Sequence, residues 1–310
     1  MDNYIKIIFF AISAVIVNGI VMQDDNIFAR AQYSCEYSIK DDGSTICTLT
    51  NFHPGTSLFY VLNPENATEV QFTNSSHIRI PSTLFTEIPG LQNLNLSDFH
   101  IRRIQKSSFT NAVALKTLDL SYNLLQEVLK STFKRASTLQ ELFLHNNNIE
   151  VVEYNAFKYL RNLTTLTLNN NHIKHLSKNA FEDLSNLRTL LLNDNRISVV
   201  SSALKPLRAL EMLTLHNNLM HYVRVKVMNK YLRNLTNVTL QNNEWFCPGV
   251  KLMTDYMAAN AVDTDVVNAT ELECQDSENV VLMMDEKDLA EIQELSTSTF
   301  INPVFNHHFH

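Results

Sequence analysis

The sequence predicts an α/β repeat fold, a curved solenoid with one short parallel strand per coil, and three observations lead there. A unit of the form LxxLxLxxNxI recurs, with LKTLDLSYNLL at Leu115, LQELFLHNNNI at Leu139, LTTLTLNNNHI at Leu163 and LRTLLLNDNRI at Leu187, spaced by 24 residues. The frame extends back to LQNLNLSDFHI at Leu91 and a degraded ATEVQFTNSSH at Ala67, and forward to LEMLTLHNNLM at Leu210 and LTNVTLQNNEW at Leu235, about eight coils in all. The four cysteines, Cys35, Cys47, Cys247 and Cys274, stand in two pairs flanking that array. No single unit can bury its apolar face, so the units must stack and share one core.

Each element of the unit has a physical reason. Alternating leucines such as Leu118 and Leu120 place their side chains on one face of a short strand and send them into the core. Asparagine recurs nine residues into the unit, at Asn123, Asn147, Asn171, Asn195, Asn218 and Asn243. An amide both donates and accepts, so it can satisfy backbone groups of neighbouring coils where the chain turns inward. Eighteen residues after each unit's first position stand Phe85, Phe109, Phe133, Phe157 and Phe181, later replaced by Leu204 and Met228. That column predicts an aromatic spine filling the convex half of the coils.

Composition narrows the function classes. The chain has 310 residues with a formal net charge of -7, which argues against binding a nucleic-acid backbone. It has only 5 glycines and contains neither GxGxxG nor GxxxxGK[ST], so nucleotide enzymes lose their usual signature. Lys6 precedes the apolar run Ile7 to Val17, and Gly19 follows, the layout of a signal peptide over 1–19. An uncleaved anchor fits less well, because the run is shorter than the roughly 20 residues that span a bilayer. The expected mature chain is secreted, with no membrane insertion once the leader is removed.

Four cysteines allow three connectivities, and their grouping favours Cys35 with Cys47 and Cys247 with Cys274. Seven N-x-[ST] sequons begin at Asn66, Asn74, Asn95, Asn162, Asn234, Asn237 and Asn268 and are candidate glycosylation sites. The expected division of the chain is leader 1–19, N-terminal segment and cap 20–66, repeats 67–242, C-terminal cap 243–274 and an acidic tail 275–310. Within the tail, Val280 to Leu295 could form one amphipathic helix, too short for a convincing coiled coil.

These repeats resemble those of the leucine-rich-repeat family, in the 24-residue type common in extracellular proteins. Asn243-Glu244-Trp245-Phe246-Cys247 is similar to the NPWxC start of that family's C-terminal cap, with Cys274 as the implied closing partner. Glu244 replaces the usual proline and Gly249 stands where a second cysteine is common, so a two-cysteine cap is implied. The segment CEYSIKDDGSTICTLTNF, with the weak strand EVQFTNSS and IPSTLFTEIPGLQNLNL, resembles secreted mosquito leucine-rich immune proteins more narrowly. That resemblance implies a non-enzymatic role in innate immunity. The implied partner is a protein or microbial-surface ligand, among them a complement-like thioester protein or another repeat protein. The alternative is an extracellular adhesion or matrix-assembly module.

The expected binding face is the concave sheet, whose exposed positions follow from the register. Between the paired leucines the column runs Gln71, Asn95, Asp119, Phe143, Thr167, Leu191, Thr214, Thr239. Flanking columns contribute Met212, Ser121, His145, His216 and Tyr122, and no Lys or Arg falls in any of the four columns. The candidate ligand patch is therefore Tyr122, Phe143, His145, Leu191, Met212 and His216. Catalysis has little support. His145 and His216 lie three coils apart, roughly 14 Å by strand spacing, and cannot share a metal. His172, His175 and His221 fall on the descending side, and His307, His308 and His310 on the C-terminal tail. Without HExxH or a Ser, His and Asp arrangement, the expectation is no enzyme, no cofactor and no metal. The basic clusters at Arg102-Arg103, Lys130 with Lys134-Arg135, and Arg224 to Arg233 read as solvated turns and convex surface.

Overall fold

The computed structural model describes residues 31–52, 59–62, 66–75, 80, 83–106, 108–200, 202–246 and 250, together with 15–17, 20–22, 254, 258–259 and 274–275. The N-terminal part begins with β1 (Val15–Val17), β2 (Ile20–Met22) and β3 (Ala31–Ser34), followed by β4 (Glu36–Ile39), β5 (Thr45–Thr50) and β6 (Phe59–Leu62). Strands β1, β2, β3 and β6 make a small sheet, in which β3 and β6 run parallel and β1 falls within the expected leader 1–19. Strands β4 and β5 form an antiparallel hairpin whose turn carries Gly43 at φ +82, a left-handed conformation that glycine adopts without steric cost. The Cys35–Cys47 disulfide ties this hairpin together, with Cys47 fully buried.

The repeats then supply β7 (Glu69–Thr73), β8 (Asn93–Asn95), β9 (Thr117–Asp119), β10 (Glu127–Val128), β11 (Glu141–Phe143), β12 (Val151–Val152), β13 (Thr165–Thr167) and β14 (His175–Leu176). They end with β15 (Thr189–Leu191), β16 (Met212–Thr214) and β17 (Asn237–Thr239). The main sheet has ten strands in the order β17-β16-β15-β13-β11-β9-β8-β7-β5-β4. Eight of these come from the repeats and bound about seven turns of solenoid, and β5 adds parallel to β7 as a first coil supplied by the cap. The 24-residue step is reproduced as pairing register: Leu118 faces Leu142, Leu142 faces Leu166, and Leu166 faces Leu190.

A second, smaller parallel sheet of β10, β12 and β14 lies outside the concave layer, and the sequence gives little sign of it. Two-residue strands such as Glu127–Val128 leave no alternation to read. Among the described residues of the repeats, two short helices interrupt the coils, α1 (Leu84–Glu87) and α2 (Val225–Tyr231); the latter occupies the convex side of the last repeat and contributes Met228 to the core.

Two ladders hold the stack together. Each recurring asparagine works across coils: the Asn171 amide donates to Leu144 O at 3.1 Å and Leu168 O at 3.0 Å, while its Oδ1 accepts from Ile149 N–H at 3.0 Å. The same three bonds recur at Asn147, Asn195 and Asn218 with their own neighbours. The aromatic spine is equally regular. Phe85, Phe109, Phe133, Phe157 and Phe181 have successive ring centroids 5.8, 5.4, 5.9 and 6.0 Å apart, all buried. At the C-terminal end Trp245 is buried and donates its indole N–H to Leu240 O at 2.9 Å. Strand β18 (Trp245–Phe246) pairs with β19 (Cys274–Gln275), setting Cys274 opposite Trp245. Cys247 lies outside the described residues, as do the tail from 276 onward and Asn268.

Candidate functional site

The concave face is assembled by strand register. Its central column runs Asp119, Phe143, Thr167, Leu191, Thr214 and Thr239, each opposite the next. Phe143 and Leu191 are thus separated by Thr167, about 10 Å apart at two strand spacings. Met212 occupies a different column, opposite Thr189, and is exposed.

The candidate residues divide into three groups. Tyr122, His145 and Phe143 come together as an edge-to-face aromatic cluster, with Tyr122 and His145 centroids 5.5 Å apart and Phe143 and His145 6.3 Å apart. Leu191 and Met212 sit on adjacent strands as a smaller apolar group. His216 stands apart, hydrogen-bonded through Nδ1 to Thr239 Oγ1 at 2.6 Å. His145 makes the equivalent contact with Thr167 Oγ1 at 2.9 Å, and burial holds its imidazole below the usual histidine range, partly opposed by the Asp119 charge.

Not every position in the exposed columns is exposed. Ser121, Thr167 and Thr239 are buried, at 2%, 5% and 7%. Ser121 is drawn down by its bonds to Asp119, and the two threonines lie beneath His145 and His216, which hydrogen-bond to them from the preceding coil. Phe143 and Leu191 are half-buried, whereas Tyr122 is 59% exposed. Tyr122 also has φ 53, and it shares this left-handed column with Asn74, Asp98, Asn146, Asn170, Asp194, Asn217 and Asn242. Asn and Asp tolerate that region and a bulky aromatic residue seldom does. The run of Asn and Asp in the sequence column was the signal for this backbone state, and Tyr122 is its exception.

Five sequons within the described residues are exposed: Asn66, Asn74, Asn95, Asn162 and Asn234. Asn95 Oδ1 accepts from both the backbone N–H and the hydroxyl of Ser97, and Asn74 donates to Asn51 Oδ1. Asn162 and Asn234 donate to the carbonyls of Ser137 and Arg208 on the preceding coil. Asn237 is half-buried in β17. Asn162 also lines an open polar cleft of about 430 Å³ on the lip leading into the strands, with Gln140, Thr164, Asn186, Arg188 and Ala209. None of the candidate ligand residues lines it.

On the convex side, Lys130 donates to the Tyr154 hydroxyl and lies 4.5 Å from that ring's centroid. Among the described residues no group of three or more His, Cys, Asp and Glu could hold a metal ion, and no helix is long and apolar enough to cross a membrane.

The comparisons with known proteins concern the fold. A leucine rich repeat family profile matches residues 113–173 and 161–220. The APL1 leucine-rich repeat domain, from a mosquito protein, superposes with a TM-score of 0.55 at 21% identity, covering 69% of this chain and 60% of that one. TLR13 in its complex with ssRNA13 gives 0.53 at 22% identity, covering 60% of this chain and 32% of that one. The chain therefore spans about a third of the TLR13 chain and three fifths of the APL1 repeat domain. No curated protein sequence matches it significantly. Identities this low speak to architecture alone, and the architecture is plain: the fold is that of the leucine-rich-repeat family, and residues 113–220 carry that family's repeats.

Proposed function

We propose that this chain is a secreted, non-enzymatic binding protein that takes a protein or microbial-surface ligand on its concave face and acts in innate immunity. One observation carries the reading: the middle coils gather Tyr122, His145 and Phe143, with Leu191 two strands further along the sheet and Met212 on the strand after it, on a face whose four central columns contain no Lys or Arg. Aromatic and apolar anchors rimmed by hydroxyls and amides are the composition of a protein-binding patch. The absence of cations from those columns disfavours RNA as the ligand, although TLR13 was solved with one. The signal-peptide layout of 1–19 and the exposed sequons support secretion, and the likeness of the fold to that of the APL1 repeat domain supports the immune role.

The test is expression of the full chain in insect cells. The protein should appear in the medium with its N-terminus near residue 20 and with glycans attached. Its binding to a purified thioester protein of the same source and to bacterial cell-wall fractions is then compared with that of Phe143→Ala combined with Leu191→Ala. The double substitution should weaken ligand binding by at least about tenfold, since truncating a central anchor commonly costs more than about 1 kcal/mol. Unchanged affinity in a folded variant would move the site off the concave face.

A further inference from the structure

We infer that the concave ligand engages this protein through an arginine or lysine side chain, received by Asp119, Tyr122, Phe143 and His145; the inference rests on the concave-face reading above and adds the chemistry of the partner. Asp119 is the strand partner of Phe143 and lies close enough to His145 for its charge to act on that imidazole. Its carboxylate is held in place, because Oδ1 accepts both the backbone N–H of Ser121 at 2.9 Å and the buried Ser121 hydroxyl at 2.6 Å. Oδ2 has no hydrogen-bond partner among the described residues, and no Lys or Arg among them pairs with Asp119. A fixed carboxylate without a cation therefore stands beside two aromatic rings.

The surroundings point the same way. Tyr122, exposed and aromatic, follows Asp98 in the left-handed column, and Glu141 lies two residues before Phe143 on β11. In the next column out along the sheet stand the cations Lys116 and Arg188, and Arg188 is already committed to Glu211. An aromatic face attracts a cation through its quadrupole, and the attraction grows as the site is desolvated. With a carboxylate alongside, a guanidinium could stack on Tyr122 or Phe143 while donating to Asp119. His145 does not oppose this at neutral pH, since burial disfavours its charged form.

The test uses three synthetic dodecapeptides of equal apolar content, carrying two arginines, two glutamates or neither. Binding to the full-length protein is measured by surface plasmon resonance. Asp119→Thr is the informative variant, because threonine fills the same column at Thr167, Thr214 and Thr239. Asp119→Asn would instead create the sequon Asn-Leu-Ser and invite a glycan. The arginine peptide should bind at least tenfold tighter than the glutamate peptide, and Asp119→Thr should remove most of that preference. Equal binding of the charged peptides, no binding of the arginine peptide, or an unchanged preference in Asp119→Thr overturns the inference. Phe143→Ala separates the two levels: if it weakens the uncharged peptide while charge has no effect, the concave site stands and only the cation preference fails. If it changes nothing for any bound peptide, the concave reading itself fails.

Discussion

Replacing Asn171 tests the asparagine ladder at its centre. Asn171 is buried, and its removal takes away the Oδ1 that accepts from the buried Ile149 N–H. The carbonyls it serves are better protected: Leu144 O also accepts from Asn147 at 3.1 Å, and Leu168 O from Asn195 at 3.0 Å. Asn171→Ala therefore strands one buried N–H outright, at about 1 to 3 kcal/mol, and leaves a small void, for a total loss of about 2 to 4 kcal/mol. Asn171→Asp can keep the Ile149 bond but turns a lone pair and a charge toward the Leu144 and Leu168 carbonyls. It should be at least as damaging at pH 8. Burial and those carbonyls raise the carboxyl's folded pKa above its unfolded value, so the variant is relatively more stable below the unfolded pKa and loses that as pH rises through the folded one. Urea unfolding of wild type and both variants at pH 8 and pH 4.5 measures this, with hydrogen exchange at Ile149 as the local readout. If Asn171→Ala costs less than about 1 kcal/mol, or if the gap between Asn171→Asp and wild type fails to narrow at pH 4.5, the ladder is not what fixes the coil spacing.

Three further outcomes are expected. Tyr122→Asn places a residue suited to φ 53 where an aromatic stands, and should stabilise the protein by about 0.5 to 1 kcal/mol in urea melts while weakening arginine-peptide binding; a loss of stability would show that the Tyr122 contact with His145 outweighs backbone strain. His145, with its folded pKa depressed by burial, contributes stability above its unfolded pKa that is lost as pH falls through the folded value. The fall in stability from pH 7.5 to 5 should thus be shallower in His145→Asn, which supplies the residue found in that column at Asn169 and Asn193, and an NMR titration that put His145 above the free-histidine value would contradict this. Cys35→Ser with Cys47→Ser opens a loop with a sequence separation of 12 and should cost about 3 kcal/mol, with exchange rising first in β4 and β5; protection lost evenly along the solenoid would show that the cap is not a local element.

Most of the architecture was legible because each repeated residue answers a need that recurs every coil. Leu142, Asn147 and Phe157 are placed by core burial, backbone satisfaction and spine stacking, and each requirement has a fixed offset within the unit. Features made by one coil leaning on another were less legible. Thr167 and Thr239 occupy the same column as the half-buried Phe143 and Leu191, yet they are covered by histidines from the preceding coil, and no spacing rule distinguishes the two cases. The cap hairpin shows the same limit: the Cys35 and Cys47 spacing announces a closed loop, but not that β5 would extend the main sheet in parallel beyond β7.

Residues that the solenoid does not require are therefore the ones to weigh as functional. At the left-handed position, Asn or Asp meets the backbone's demand with little strain, and the other seven members of the column comply. Tyr122 meets it at a cost and exposes most of its surface, so the fold gains little from it. Asp119 presents the complementary case. Asn95 makes the same two bonds to Ser97 that Asp119 makes to Ser121, so the local turn needs only an acceptor oxygen there and not a charge. The ring at Tyr122 and the charge at Asp119 both exceed what the coil needs, and they occur on the same repeat, beside Phe143. That coincidence directs the search for a ligand to this coil.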